Sequence, residues 1–187
     1  MMASQPAFNE AKTTQVAAAF LQLHGGRMHY LKLLKLMYLT DRGALLRWGF
    51  PVTMDRYVAM DHGPVPSWAY DLVVDDIPKP DWQRWISPPL GEYEVELARQ
   101  PAPTDLLSRA EQNLIAEVFA EFGHKSRWEI VNYVHTLREW RNPHGGAIPI
   151  SIRDILAAEG QGEAEIEGVL RELRAEAASE RALSGPF

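Results

Sequence analysis

Apolar residues recur every three to four positions along most of this chain, the spacing of helices with one buried side. In TTQVAAAFLQLHGG (13–26), Val16, Phe20 and Leu23 share a face, and Gly25-Gly26 ends the run. RMHYLKLLKLMYLTDRGALLRWG (27–49) predicts a long helix with Leu31, Leu34, Tyr38, Leu45 and Trp48 on one face. Lys32, Lys35, Arg42 and Arg47 fall mostly off that face, Gly49 stops the helix and Pro51 follows. So long an apolar stripe makes this the expected central helix of the core. SRAEQNLIAEVFAEFG (108–123) is the clearest helix. Ser108 and Glu111 form a capping box, Leu114, Ile115, Val118 and Phe122 make its apolar face, and Gly123 closes it. SRWEIVNYVHTLREW (126–140) repeats the signature with Ser126 and Glu129. Ser151 caps another helix, and from Gly162 an acidic helix carries Ile166, Leu170 and Leu173 on one stripe.

Between residues 51 and 100 the period changes. RYVAM (56–60) has the composition of a short strand, and EYEVELA (92–98) alternates. In the latter, Tyr93, Val95 and Leu97 face one way and Glu92, Glu94 and Glu96 the other. PSWAYDLVVDD (66–76) predicts a short helix with Pro66 in its first turn. IPKPDWQRWISPPLG (77–91), with its prolines, predicts a loop whose Trp82 and Trp85 pack on the domain. The fold class is α+β, mainly α: a helical domain with a small antiparallel sheet inserted between the central helix and the C-terminal helices.

The 187 residues suit one domain, and 46% hydrophobic content is enough to bury a core. No apolar run approaches the ~20 residues of a membrane span. The N-terminus lacks the basic-then-apolar pattern of a signal peptide. The chain has no cysteine, which excludes disulfides and thiolate chemistry and fits a cytoplasmic protein. A net charge of -6 argues against general nucleic-acid binding. The charge is uneven: residues 1–56 hold seven Lys/Arg against three acids, and the acid excess lies beyond them. Either a basic face for an acidic partner or an ordinary solvated helix face explains those cations.

AMDHGPVPSWAY (59–70) raises the question of chemistry. Gly63, Pro64 and Pro66 fix the backbone beside Asp61 and His62, as an active-site loop or a rigid presenting corner would. Asp61 and His62 are neighbours, and neighbours on extended backbone point apart. None of the six histidines has a metal-binding spacing, and no P-loop, GxSxG or strand-borne GxGxxG occurs. Asp75, Asp76 and Asp81 read as acids of an exposed turn. No cofactor or metal is expected. A hydrolase using Asp41, His62 and His135 is one alternative. A DNA-binding autoregulator is another, because helices 108–122 and 127–140 joined by Gly-His-Lys-Ser look like a helix-turn-helix. Six tryptophans are many for this length. Most serve as peripheral core in one reading; in the other, Trp68 or Trp82 lies in a groove beside the Gly-Pro corner.

LLKLMYLTDRGALLRWGFPVTMDRYVAMDHGPVPSWAY (33–70) resembles the core of the Panacea, or SocA-like, antitoxin domain. The resemblance rests on Lys32, Leu33, Lys35, Leu36, Tyr38 and Asp41, on Gly49 and Pro51, and on Ala59, His62, Gly63, Pro64 and Val65. Residues 107–140 match the family's later half, with His135 and Trp140 in place. His62 stands where Tyr is commoner, and Ile130 where Leu is commoner. The resemblance covers roughly residues 13–158. The expected organisation is a domain over residues 1–158, followed by an acidic helical extension over 159–187 whose role the resemblance does not cover. The resemblance implies an antitoxin that binds a cognate toxin, blocking it or, as in the SocA branch, delivering it to the ClpXP protease. The expected partner-binding residues are Tyr38, Asp41, Arg42, His62, Gly63, Pro64, Val65, Trp68 and Tyr70. In this expectation the corner sets Trp68 and Tyr70 against the helix bearing Tyr38, Asp41 and Arg42.

Overall fold

The computed structural model describes residues 7–75, 78–88, 91 and 93–183. Among them the elements run α1 (Glu10–Leu23), β1 (Arg27–His29), α2 (Tyr30–Trp48), β2 (Tyr57–Met60), β3 (Gly63–Pro66), α3 (Ser67–Val74) and α4 (Pro80–Trp85). Then come β4 (Glu94–Glu96), α5 (Arg109–Phe122), α6 (Arg127–Val134), β5 (Ile148–Ile150), α7 (Ile152–Ala158) and α8 (Glu163–Leu183). The fold is mainly helical with small antiparallel sheets.

Helix α2 organises the rest. The His29 imidazole caps it by accepting from the Leu31 N–H at 3.1 Å, and Gly49 ends it in the left-handed region with φ 78°. Helices α1, α5 and α6 and strand β3 pack around it. Every residue from Lys32 to Asp41 is buried, so the single apolar face expected from the sequence is instead burial all round. Lys32 and Lys35 lie inside, where their polar ends need partners. Lys32 Nζ donates to the Gly123 carbonyl at 2.7 Å, which fixes the α5–α6 junction. Lys35 Nζ donates to the Pro64 carbonyl at 2.8 Å. Tyr38 OH donates to Glu139 Oε1 at 2.9 Å.

Asp41 holds the segment that follows the helix. Its Oδ1 accepts from the N–H groups of Val52 and Thr53, each at 2.9 Å. Its Oδ2 accepts from the Thr53 hydroxyl and, at 3.0 Å, from Tyr57 OH. Burial raises its carboxyl above the usual carboxylate range, and the four donors pull it back.

Two sheets cover the helices. β1 pairs antiparallel with β4, with Met28 opposite Val95. β2 is the centre of the order β3-β2-β5, with Val58 opposite Val65 on one side and Pro149 on the other. One core cluster surrounds α1, α2 and α5, and a second joins Tyr38, Leu45 and Tyr57 to α7 and α8. Ile166, Leu173 and Ala177 of the acidic C-terminal helix are buried there or beside it.

Several elements differ from the periodicity. Residues 27–29 leave the helical run to pair as β1, because Met28 fills the core opposite Val95. Leu23 and Trp48, placed on buried faces by spacing, are 47% and 41% exposed because each closes its helix at the edge of the core. The proline loop contains α4, started by Pro80 at its first turn; Trp82 is buried and Trp85 half-buried. Tyr93 does not join Val95 inside; it stacks on His29 instead. The helix after Ser126 stops at Val134, and β5 carries no alternating signal because Pro149 sits at an edge. Asp81 is half-buried, its backbone N–H held by Glu10. The assignments for Asp76, Ile77, Pro89, Leu90 and Glu92 lie outside the described residues.

The excess of cations in residues 1–56 is engaged within the molecule. Lys12 pairs with Glu111, Arg27 with Glu94 and Glu96, Arg42 with Glu139 and Glu159, and Arg47 with Glu117. Lys32 and Lys35 are inside, and Arg56 lies over Trp68. The basic face that the sequence left open is therefore dispersed into pairs.

Asp41→Asn keeps the volume but turns an amide N–H₂ toward groups that are themselves donors. It should cost about 2–3 kcal/mol, measured as a lower urea midpoint with an unchanged m-value.

Candidate functional site

The Gly-Pro corner is a hairpin. GPVP is itself strand β3, paired back on β2 and running straight into α3. Gly63 adopts φ +94°, and a Cβ there would lie 2.5 Å from Val134 Cγ2. The Lys35 stem and the His135 ring close round the same α-carbon, each 3.5 Å from that position. Backbone conformation and space thus both require glycine. Pro64 lacks an N–H, and its carbonyl accepts the hydrogen bond from Lys35 Nζ. The chain enters α3 directly from Pro66, which gives the helix no side-chain cap. Asp55 supplies it from across the hairpin, accepting from the N–H groups of Trp68 and Ala69 at 2.9 Å each.

The outer side of the corner is aromatic. His62 is exposed and meets the edge of Trp128 with ring centroids 5.4 Å apart. Trp128 is 49% exposed, with the Arg127 guanidinium 5.2 Å from its ring centre. Behind the turn lies a cavity of about 250 Å³ whose walls include Tyr30, Leu34, Lys35, His62, Val65 and Tyr70. Trp140 braces the corner from within: its Nε1–H donates to the Met60 carbonyl at 3.0 Å, and the His135 ring stacks on it at 4.0 Å. Burial lowers the His135 pKa, the charges of Lys35 and His62 lower it further, and a hydrogen bond to the Asp61 backbone opposes them.

The expected binding residues divide. His62, Val65 and Tyr70 meet at this cavity, with Gly63 and Pro64 forming its frame. Tyr38 and Asp41 do not reach it; both are buried and bonded inside the fold. Arg42 is mostly buried between Glu139 and Glu159. Burial alone would lower its pKa, and the two carboxylates raise it instead. The part of α2 that faces the corner is its first half, Tyr30, Leu31, Leu34 and Lys35. Trp68 turns to the other side of α3, between Phe8, 4.8 Å away, and Arg56. Trp82 is core. The exposed tryptophan beside the corner is Trp128, which sequence reasoning passed over. Its signal was present: Ile130, Val131 and Val134 define the buried side of the helix and leave the Trp128 ring off it.

The hydrolase set does not assemble. Asp41 bonds to Val52, Thr53 and Tyr57, and neither His62 nor His135 is among its partners. Among the described residues, no group of three His, Asp or Glu side chains is placed to hold a metal ion, and no helix is long and apolar enough to cross a membrane.

These features define a class: an α+β module in which one buried helix clamps a rigid hairpin corner. The antitoxin SocA-like, Panacea domain family model matches residues 33–141, more than half of the chain, and the chain belongs to that family. Comparison with curated proteins and with solved structures gave no match.

Lys35 makes the corner sensitive to pH. Burial brings its pKa from 10.5 down to about 7. Between those values the unfolded chain carries a proton that the folded one lacks, so folding stability rises with pH across that window. The contribution is lost as pH falls through about 7. Relative to Lys35→Met, the wild-type chain should gain up to about 1.4 kcal/mol per pH unit, read from urea midpoints across the window.

Proposed function

We propose that this chain is the antitoxin of a bacterial or phage toxin–antitoxin pair and neutralises its cognate toxin by direct binding through the corner. The family match carries this reading, because it begins on α2 and ends just past Trp140, and so takes in the corner and the groups that brace it. The corner supports the location. A hairpin fixed by Gly63, the Lys35 bond and Trp140 presents His62, Tyr70 and Trp128 with little left to order on binding. A half-exposed tryptophan with a guanidinium on its face is the chemistry of a binding hot spot. Cysteine-free composition fits action in the cytoplasm.

The test is co-expression with the adjacent open reading frame, followed by capture from this chain. Restored growth with a stable complex is the expected outcome and establishes blocking. Restored growth with loss of the toxin, reversed in cells lacking ClpXP, establishes delivery to the protease instead. A non-toxic neighbour that is not captured would overturn the reading. With the toxin in hand, Trp128→Ala should weaken affinity at least about tenfold, with an unchanged thermal midpoint. Trp68→Ala is the comparison: a loss there with none at Trp128 would move the interface to the Phe8 side of α3.

A further inference from the structure

The cavity behind the Asp61-His62 turn contains a buried amine whose charged form the fold does not require. Lys35 is fully buried, and its one hydrogen bond, to the Pro64 carbonyl, needs a donor but not a cation. The ammonium has three donors, and the other two have no partner among the described residues. Burial lowers its pKa, and no carboxylate hydrogen-bonds to it among the described residues. Across Gly63 lies the His135 ring, its Nε2 buried and the ring bonded to the Asp61 backbone. His62 stands at the mouth. Asp61 is the acid beside these three basic groups, and its Oδ1 is engaged by the Gly145 N–H at 2.9 Å. Outside the cavity, beside His62, Arg127 adds positive charge at Trp128, on a chain whose net charge is -6. A buried cation without a counter-ion is costly, and an arriving carboxylate regains that free energy through charge-assisted hydrogen bonds.

We propose that this cavity is an anchor pocket for an acidic side chain of the protein partner, a glutamate or aspartate, seated between Tyr30 and Tyr70 with its carboxylate directed at Lys35 and His62. The partner's identity as a toxin rests on the reading above; the pocket's preference for a carboxylate does not. The Tyr30 and Tyr70 rings supply apolar walls for the side-chain stem. The local excess of positive charge selects for an acidic segment of the partner around that anchor.

The experiment needs no toxin. The wild-type chain is titrated by NMR at about pH 6.5, where Lys35 holds its proton, with N-acetyl-glutamic acid α-amide and separately with N-acetyl-glutamine α-amide. The two probes differ in one carboxylate. The acidic probe should shift the Lys35 ε-carbon and His62 ring resonances saturably, and the neutral probe should bind at least about tenfold more weakly. Lys35→Met should remove the difference. Should that variant fail to fold, His62→Ala, at an exposed position, should narrow the preference. Asp61→Asn should tighten the acidic probe by removing a like charge. Equal affinities, no saturable shift, or a preference that survives both Lys35→Met and His62→Ala would overturn the proposal. Capture of a toxin without probe selectivity would remove this inference and leave the antitoxin reading standing; selectivity without a toxin would do the reverse.

Discussion

A helix buried on every side cannot leave its polar side chains in water, and this constraint on α2 shapes the whole molecule. Lys32, Lys35, Tyr38 and Asp41 occupy successive turns, and each must find a partner inside. Each partner belongs to a different part of the chain: Gly123 between α5 and α6, Pro64 in the hairpin, Glu139 after α6, and residues 52–57 leading into β2. The hydrophobic effect collects these segments, but it is indifferent to how they are turned. The directional bonds from α2 fix their orientation, and failing to make any one of them leaves a buried polar group unsatisfied.

The corner's rigidity follows from that arrangement. Gly63 lets the hairpin approach α6 closely, and Lys35 and Trp140 hold its two sides by backbone carbonyls. Neither bond depends on the corner's own side chains, so His62 and the residues around it are free to face outward. Rigidity of this kind costs stability at one buried lysine and leaves little to order at the exposed side of the corner. The hydrolase set read from the sequence would need Asp41 to orient a histidine, and Asp41 is instead committed to the segment before and at the start of β2.

Much of the helical framework is legible in the sequence because capping boxes and 3.6-residue spacing are local. Ser108–Glu111, Ser126–Glu129 and the left-handed Gly49 all appear where the pattern puts them. What spacing could not give was the burial of Lys32 and Lys35, since hydrophobicity marks lysine as surface and only the surrounding elements reveal the carbonyls waiting for it. β1 and β5 were hidden for a related reason. Three residues carry too little alternation to read, and their strand character comes from partners distant in sequence. Trp68 and Trp128 show the limit for the site. Both are tryptophans near the corner, yet which ring faces solvent depends on where α6 docks, and that is tertiary information.

The residues that carry the family likeness and the residues that meet solvent at the corner are largely different sets. Lys35, Tyr38, Asp41, Gly63 and Pro64 are inside the scaffold. Trp128, Arg127 and Tyr93 are outside it and form no part of the quoted pattern. In this chain the likeness therefore falls mainly on the groups that build the clamped hairpin rather than on those the hairpin exposes. Substitutions of the exposed side chains disturb none of the bonds that α2 makes. His62 lies at the junction of the two sets, within the quoted motif and at the cavity mouth. A change there alters the exposed surface of the corner without entering the core, so surface chemistry and fold can vary independently at that position.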